Sequence, residues 1–269
     1  MTPRRHVGVT LRRWAVGLIS LGILTTARPL PAAITFLGQD QGLGESTRLP
    51  AHPNSDAART NFFSNLQGVG TDSLEAFLDN TPGPLAINFG LAGTATLQGS
   101  GRVNTLVTGT NAAGRFPISG NNYWETDNAL NPGGPSGDFS IDFSLPIAAF
   151  GFYGADIGDF NGQLTLTLLR QSGGTITQNI GNFGVPGGGV LYFGLIVNPG
   201  DEFIRATFGN TNTGTDFFGF DDFSIGTRQQ VPDVPTGSTA VPEPTSFSLW
   251  AISVLGLALV YRRRNGDRL

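Results

Sequence analysis

Between Leu85 and Ile225 the chain is a succession of short apolar or alternating runs, closed by Gly, Pro, Asn or Asp every eight to twelve residues. The cleanest is Leu164-Thr165-Leu166-Thr167-Leu168, whose leucines fall on one face and threonines on the other, the period of a half-buried strand. By the same pattern strands are expected at Leu85–Phe89, Thr94–Gln98, Val103–Val107, Tyr123–Thr126, Phe139–Phe143 and Ala148–Tyr153. Further runs cover Gln163–Leu169, Thr175–Ile180, Val190–Ile196, Glu202–Phe208 and Phe217–Ile225. So many short strands with almost no helix predict an all-β body, an antiparallel β-sandwich of two sheets. No stretch repeats at a fixed period of the kind that builds propellers or solenoids. In the last run Phe218 and Phe220 share one parity, whereas Phe223 and Ile225 share the other. The phase flips at Asp221-Asp222, which requires a β-bulge or a strand that passes from one sheet to the other.

Upstream the period changes. After a Gly- and Pro-containing loop over Gly38–Pro53, Ala58, Phe62 and Leu66 recur at four-residue steps, one apolar stripe of a short helix over Asp56–Leu66. Asn54 or Ser55 is placed to cap it, and Gly68 and Gly70 to end it. Thr71 or Asp72 then opens a turn near Asp72–Asp79, with Glu75 in the position of a capping-box partner.

The two ends carry patterns of a different kind. Arg4-Arg5 and Arg12-Arg13 precede the apolar run Ala15–Leu24, and small residues follow up to Ala33, the layout of a cleaved signal peptide. At the other end Val231–Ala240 has linker composition, then come Val241-Pro242-Glu243-Pro244, the apolar run Phe247–Tyr261 and Arg262-Arg263-Arg264. Fifteen helical residues rise only ~22 Å against a hydrocarbon core of ~30 Å, though arginines can snorkel and extend the reach. Positive charge on that side keeps the C-terminus cytoplasmic and the body outside. The expected organisation is a signal peptide at 1–33, a β-sandwich at 34–230, a linker at 231–240 and a tail at 241–269 with a transmembrane helix at 247–261.

The tail resembles the PEP-CTERM sorting signal of Gram-negative bacteria: Pro242, Glu243 and Pro244 occupy the motif, and Arg262, Arg263 and Arg264 close the apolar helix. The resemblance covers Val241–Leu269 alone. It implies passage through the secretion translocon, recognition by exosortase, and a place at the cell surface or in an exopolysaccharide or biofilm matrix. The body also looks like the β-sandwiches that commonly precede such tails, and Asp221-Asp222 followed by Phe-x-Ile resembles the closing strand of jelly-roll, lectin-like domains. That likeness implies a structural Ca2+ near Asp221 and Asp222.

Composition narrows the chemistry. There is no Cys, so disulfides, thiolate metal sites and cysteine nucleophiles are excluded. Every one of the 16 basic residues is Arg, and only seven of them lie in Ile34–Ala240 against 18 of the 20 acids, giving the body an acidic balance with no basic stripe. Such a surface repels a phosphate backbone, so nucleic acid is not an expected partner. Of two histidines only His52 lies in the body, in a loop where it reads as solvated. Asp156, Asp159 and Asn161 surround glycines at a spacing that suits oxygen-rich Ca2+ coordination, and equally suits a tight turn. Tyr123-Trp124 is a candidate sugar-stacking pair, or else core. A glycosidase would need two facing carboxylates, for which Glu75, Glu125, Asp127 and Glu202 are the candidates. The reading that joins these features is a non-enzymatic, surface-sorted β-sandwich that binds exopolysaccharide; a secreted glycan hydrolase and a protein-binding adhesin are the alternatives.

The tail yields a test of its own. Pro242 and Pro244 keep the preceding backbone extended, the form that a protease or transpeptidase can grip. The mature protein is expected to lose Phe247–Leu269 in a host with exosortase, and Ala at Pro242, Glu243 and Pro244 to block that loss while leaving membrane insertion intact. Intact-mass measurement of membrane and surface fractions reads both; a full-length tail in the native surface fraction makes it a plain anchor.

Overall fold

The computed structural model describes residues 33–126, 139–158, 164–180, 187–210 and 217–232. Residues 1–32 of the expected signal peptide and the tail, with Pro242, Glu243, Pro244 and Arg262, Arg263 and Arg264, lie outside the described residues, whereas Ala33 already belongs to the first strand. Among the described residues no helix is long and apolar enough to cross a membrane.

The strands are β1 (Ala33–Asp40), β2 (Thr71–Asp72), β3 (Leu85–Asn88), β4 (Thr94–Gly99), β5 (Arg102–Thr105), β6 (Asn122–Glu125) and β7 (Phe139–Ile147). They continue with β8 (Ala149–Ala155), β9 (Leu164–Arg170), β10 (Thr175–Ile180), β11 (Val190–Val197), β12 (Phe203–Asn210) and β13 (Gly219–Gly226), and helix α1 spans Pro53–Phe63. The strands pair antiparallel in two sheets. One runs β1-β11-β8-β13-β6-β5, with β2 beside β13; the other runs β10-β9-β12-β7-β4-β3. Within them β6-β13-β8-β11 and β7-β12-β9-β10 have jelly-roll order, since each connection from β6 to β13 changes sheet except the β9–β10 hairpin. The antiparallel sandwich read from the period-2 runs is therefore present, and in β9 the leucines are buried while the threonines are not.

Phenylalanine fills the space between the sheets. Phe139 stacks on Phe208 at 4.3 Å, and Phe152 meets Phe208 at 5.1 Å and Phe220 at 5.5 Å. Phe223 faces the same ring at 6.4 Å although it lies three positions after Phe220. The strand achieves this with a bulge: its register to β8 shifts between Asp221 and Ser224, and Asp222 takes φ of +50°. The strand stays in one sheet, so the bulge, of the two alternatives, accounts for the phase flip.

Strands β8, β11 and β13 are buried along their whole length because the first sheet is covered on its outer face as well. Helix α1 covers part of it. Phe62, fully buried, meets Phe36 of β1 at 5.7 Å and Tyr192 of β11 at 5.9 Å. The sheet is notched beneath it. Gly194 and Gly151 are register partners, and a Cβ on Gly194 would lie 2.7 Å from the Phe62 ring, one on Gly151 3.0 Å from it. Gly38, in β1, similarly admits the helix start, since a Cβ there would lie 2.0 Å from the Asn54 carbonyl oxygen.

The helix begins earlier than its stripe suggested, with Pro53 in the first turn and His52 at the N-cap position. Neither Asn54 nor Ser55 caps it. Asp40, at the end of β1, accepts the backbone N–H of Asn54 at 3.1 Å and of Ser55 at 2.9 Å, and the Ser55 hydroxyl at 2.8 Å. A carboxylate against the free N–H groups of a helix start supplies both hydrogen bonds and a favourable charge for the helix dipole. The helix ends at Phe63, and Leu66 packs on the core from the turn that follows. Strand β1 itself, where only a loop from Gly38 was expected, pairs with β11 over its full length.

Two substitutions test the seat. Phe62→Ala is expected to cost ~3–5 kcal/mol and Gly194→Ala ~1–3 kcal/mol in urea unfolding, from a cavity and an overpacked contact respectively. The double variant should cost clearly less than the sum, because the new methyl then enters the space the ring vacated. Additive losses would mean that Gly194 is not shaped by Phe62.

Candidate functional site

At the far edge of the same outer face, β5 and β6 bring polar side chains together. Arg102 lies opposite Glu125, and Asn104 opposite Tyr123, so all four project from one face of the ribbon. The loop between β5 and β6 roofs them with Asn111 and Arg115. Glu125 is 5% exposed, and its carboxylate accepts from Asn104 Nδ2 at 2.8 Å, Asn111 Nδ2 at 2.5 Å, Arg115 Nε at 3.1 Å and Tyr123 Oη at 3.3 Å. Arg102 Nη2 stands 3.6 Å away. A carboxylate removed from water costs several kcal/mol unless it is paired, and here the pairing is complete on both oxygens. Burial pushes the Tyr123 phenol well above its ordinary value, and the Glu125 charge adds to the effect.

Above this carboxylate is a cavity of about 340 Å3, lined also by Thr126 and Phe217. Thr126 holds the rim: its N–H donates to the Phe218 carbonyl at 3.0 Å, and its hydroxyl accepts the Phe218 N–H at 2.9 Å. Arg115 donates to the Phe217 carbonyl at 3.3 Å and lies over the Phe217 ring at 5.6 Å. The cavity thus presents guanidinium and amide groups already fixed by Glu125, with one aromatic flank.

The proposed stacking pair does not open onto it. Trp124 and Tyr123 are fully buried. Trp124 points between the sheets, 6.1 Å from Phe139, and Gly101 lies so close that a Cβ there would meet the indole at 2.4 Å. Tyr123 points outward but is roofed by the β5–β6 loop. Neither ring has a face for a sugar. Only Glu125, among the carboxylates considered, was in view from the sequence; Arg102, Asn104, Asn111, Arg115 and Phe217 are too far apart in the chain to form a motif.

The acids read as calcium candidates have other partners. Asp221 Oδ2 accepts the N–H groups of Ile118 at 2.7 Å and Ser119 at 2.9 Å, and Oδ1 that of Asp222 at 2.6 Å, so this carboxylate anchors the roof loop. Asp222 accepts the Ser119 hydroxyl at 2.6 Å. Asp156, at φ +64°, accepts the Gly188 N–H at 2.8 Å. Asp159 and Asn161 lie outside the described residues. Among the described residues no three acids or histidines converge as a metal site, so Asp156 does not join Asp221 and Asp222.

A second polar group sits where α1 meets β8, β11 and β13. His52, rather than being solvated, bonds Asp56 through Nδ1 at 2.9 Å and packs edge-on against Tyr153 at 5.5 Å. The Tyr153 hydroxyl donates to Asp56 at 2.6 Å. Burial, then this bond, raises its phenol, and burial raises that of Tyr192. Burial also raises Asp222, partly opposed by the Ser119 hydroxyl and Arg59, and raises Asp221 well above the usual carboxylate range.

No protein-family model matches this chain, and no curated protein matches its sequence. Among solved structures, the K2 cleaved adhesin domain of Lys-gingipain is similar over 59% of this chain and 98% of its own, at 10% identity and a TM-score of 0.38. The C-terminal family 22 carbohydrate-binding module of a Clostridium thermocellum xylanase is similar over 60% and 93%, at 15% identity and a TM-score of 0.36. The family 11 carbohydrate-binding module of a cellulosomal cellulase from Clostridium thermocellum follows at 58% and 94%, 12% identity and a TM-score of 0.25. These likenesses are loose and carry no functional argument.

Asp222 gives a measurable consequence. A carboxyl whose pKa is raised on folding binds its proton more tightly in the folded than in the unfolded chain. Between the ordinary value of 3.8 and the raised one, stability therefore falls as pH rises. Asp222→Asn keeps an acceptor for Ser119 and tolerates positive φ, and should reduce that slope in urea unfolding from acid to neutral pH, leaving the part that Asp221 contributes. An unchanged slope would assign the pH dependence elsewhere.

Proposed function

We propose that the chain is an exported surface or matrix protein, sorted through its C-terminal tail by exosortase, whose jelly-roll body binds polysaccharide without cleaving it. The tail, Val-Pro-Glu-Pro with its apolar run and arginine cluster, supports the sorting step. The observation that carries the binding reading is the state of the carboxylates. The acids buried among the described residues are committed to structure: Asp40 to the start of α1, Glu125 to its amides and arginines, Asp156 to Gly188, Asp221 to the roof loop and Asp222 to Ser119. The other candidates for hydrolysis are similarly held. Glu75 accepts the N–H groups of Asn121 and Asn122, and Glu202 pairs with Arg228 at 2.7 Å; Asp127 lies outside the described residues.

A general acid must give up a proton and a nucleophile must reach the anomeric carbon, whereas a carboxylate enclosed by N–H donors does neither readily. The same enclosure suits a binding surface, which needs side chains that keep their positions.

The protein, taken from the membrane fraction with its tail or from the surface fraction after processing, is expected to bind the exopolysaccharide of its host and to leave the number of reducing ends constant on prolonged incubation. Release of new reducing ends would move the protein to the hydrolases, and absence of binding to any polysaccharide would remove the ligand from this reading.

A further inference from the structure

We propose that the cavity above Glu125 is the sugar-contact site of the body, taking one sugar unit through adjacent oxygen atoms. This rests on the reading that the body binds polysaccharide, and it assigns the residues that do so.

The starting point is that Glu125 ends an edge ribbon, where an apolar side chain would fill the space at no electrostatic cost. Instead the chain buries a carboxylate and surrounds it with donors from both β5 and the β5–β6 loop. Asn111 is itself held, because its Oδ1 accepts the N–H groups of Ala113 at 3.0 Å and Arg115 at 3.1 Å. The outcome is a set of side chains locked in rotamer while still lining open space.

Their remaining capacity defines the ligand. A guanidinium carries five N–H donors. Arg115 commits Nε to Glu125 and Nη1 to the Phe217 carbonyl, which leaves Nη2 for a ligand. Arg102 and Asn104 line the same wall. The two N–H groups of Nη2 can serve two neighbouring oxygens, and adjacent hydroxyls on a sugar ring present such a pair. Phe217 supplies the apolar surface that the C–H face of a sugar needs. At about 340 Å3 the cavity is at the small end of ligand sites, which run from roughly 300 to 1,000 Å3. That size suits a sugar unit better than a polypeptide segment. Neutral hexoses and uronic acids share the chemistry of adjacent oxygens.

The test uses the full chain with Arg102→Ala and Phe217→Ala variants. Each substitution removes a side chain from the rim and leaves the Asn and Arg115 bonds to Glu125 in place. Binding is measured by calorimetry to neutral oligosaccharides and to uronate oligosaccharides, at low and high salt, with a thermal melt on each protein. The expected result is binding by the unmodified chain that weakens about tenfold or more in each variant, while each variant still melts in one cooperative transition above the temperature of the binding measurement. Salt-sensitive affinity identifies a uronate, and salt-insensitive affinity a neutral sugar. Variants that bind like the unmodified chain overturn the assignment of this cavity but leave polysaccharide binding standing. An unmodified chain that binds neither set overturns both.

Discussion

Phe62 sits in a notch made by Gly194 and Gly151, and this contact lets one sheet of a sandwich be buried on both faces. A single exposed face would read as alternation; here β8 and β11 are apolar or small throughout, and β13 is buried at every position although it carries Asp221 and Asp222. Covering the second face requires a helix at close range, and close range requires residues without side chains on the strands below. It also requires the helix to start at a fixed point, which Asp40 supplies from the end of β1.

Closing that face strands backbone N–H groups away from water, and buried donors must find acceptors. The body meets this with carboxylates. Asp221 takes the N–H groups of the β5–β6 loop, Asp40 those of α1, and Glu75 those of Asn121 and Asn122 at the start of β6. The acidic residues are in these places a set of acceptors for loops. The polar cavity lies at the rim of the same face, where the roof loop meets an edge ribbon.

Much of the sandwich was legible because inner and outer positions alternate wherever one face meets water. The bulge was legible for the same reason: a change of phase at Asp221-Asp222 has only a few physical remedies. What stayed hidden depended on contacts between distant segments. Strand β1 was obscured because its covered outer face, with Phe36 and Gly38 beneath α1, breaks the expected alternation. The helix cap was sought next to the helix, whereas the acceptor came from an acid that precedes it by a whole loop. Tyr123 and Trp124 were ambiguous since a strand pattern shows which residues share a face and not whether a loop lies over it. The cavity has no local signature, as Arg102, Arg115, Glu125 and Phe217 come from β5, its following loop, β6 and the approach to β13.

The pairing scheme also sets a timetable. The Ser55 hydroxyl reaches the Val190 carbonyl across 135 residues, and the Thr71 and Ser224 hydroxyls meet across 153. Helix α1 has no sheet to lie on until β11 exists, and β2 has no partner until β13 does. Contacts of such long range make folding slow, because a large loop must close before any of them is rewarded. A chain emerging from the ribosome therefore cannot complete its covered sheet until nearly its last strand is made, whatever hairpins form before then.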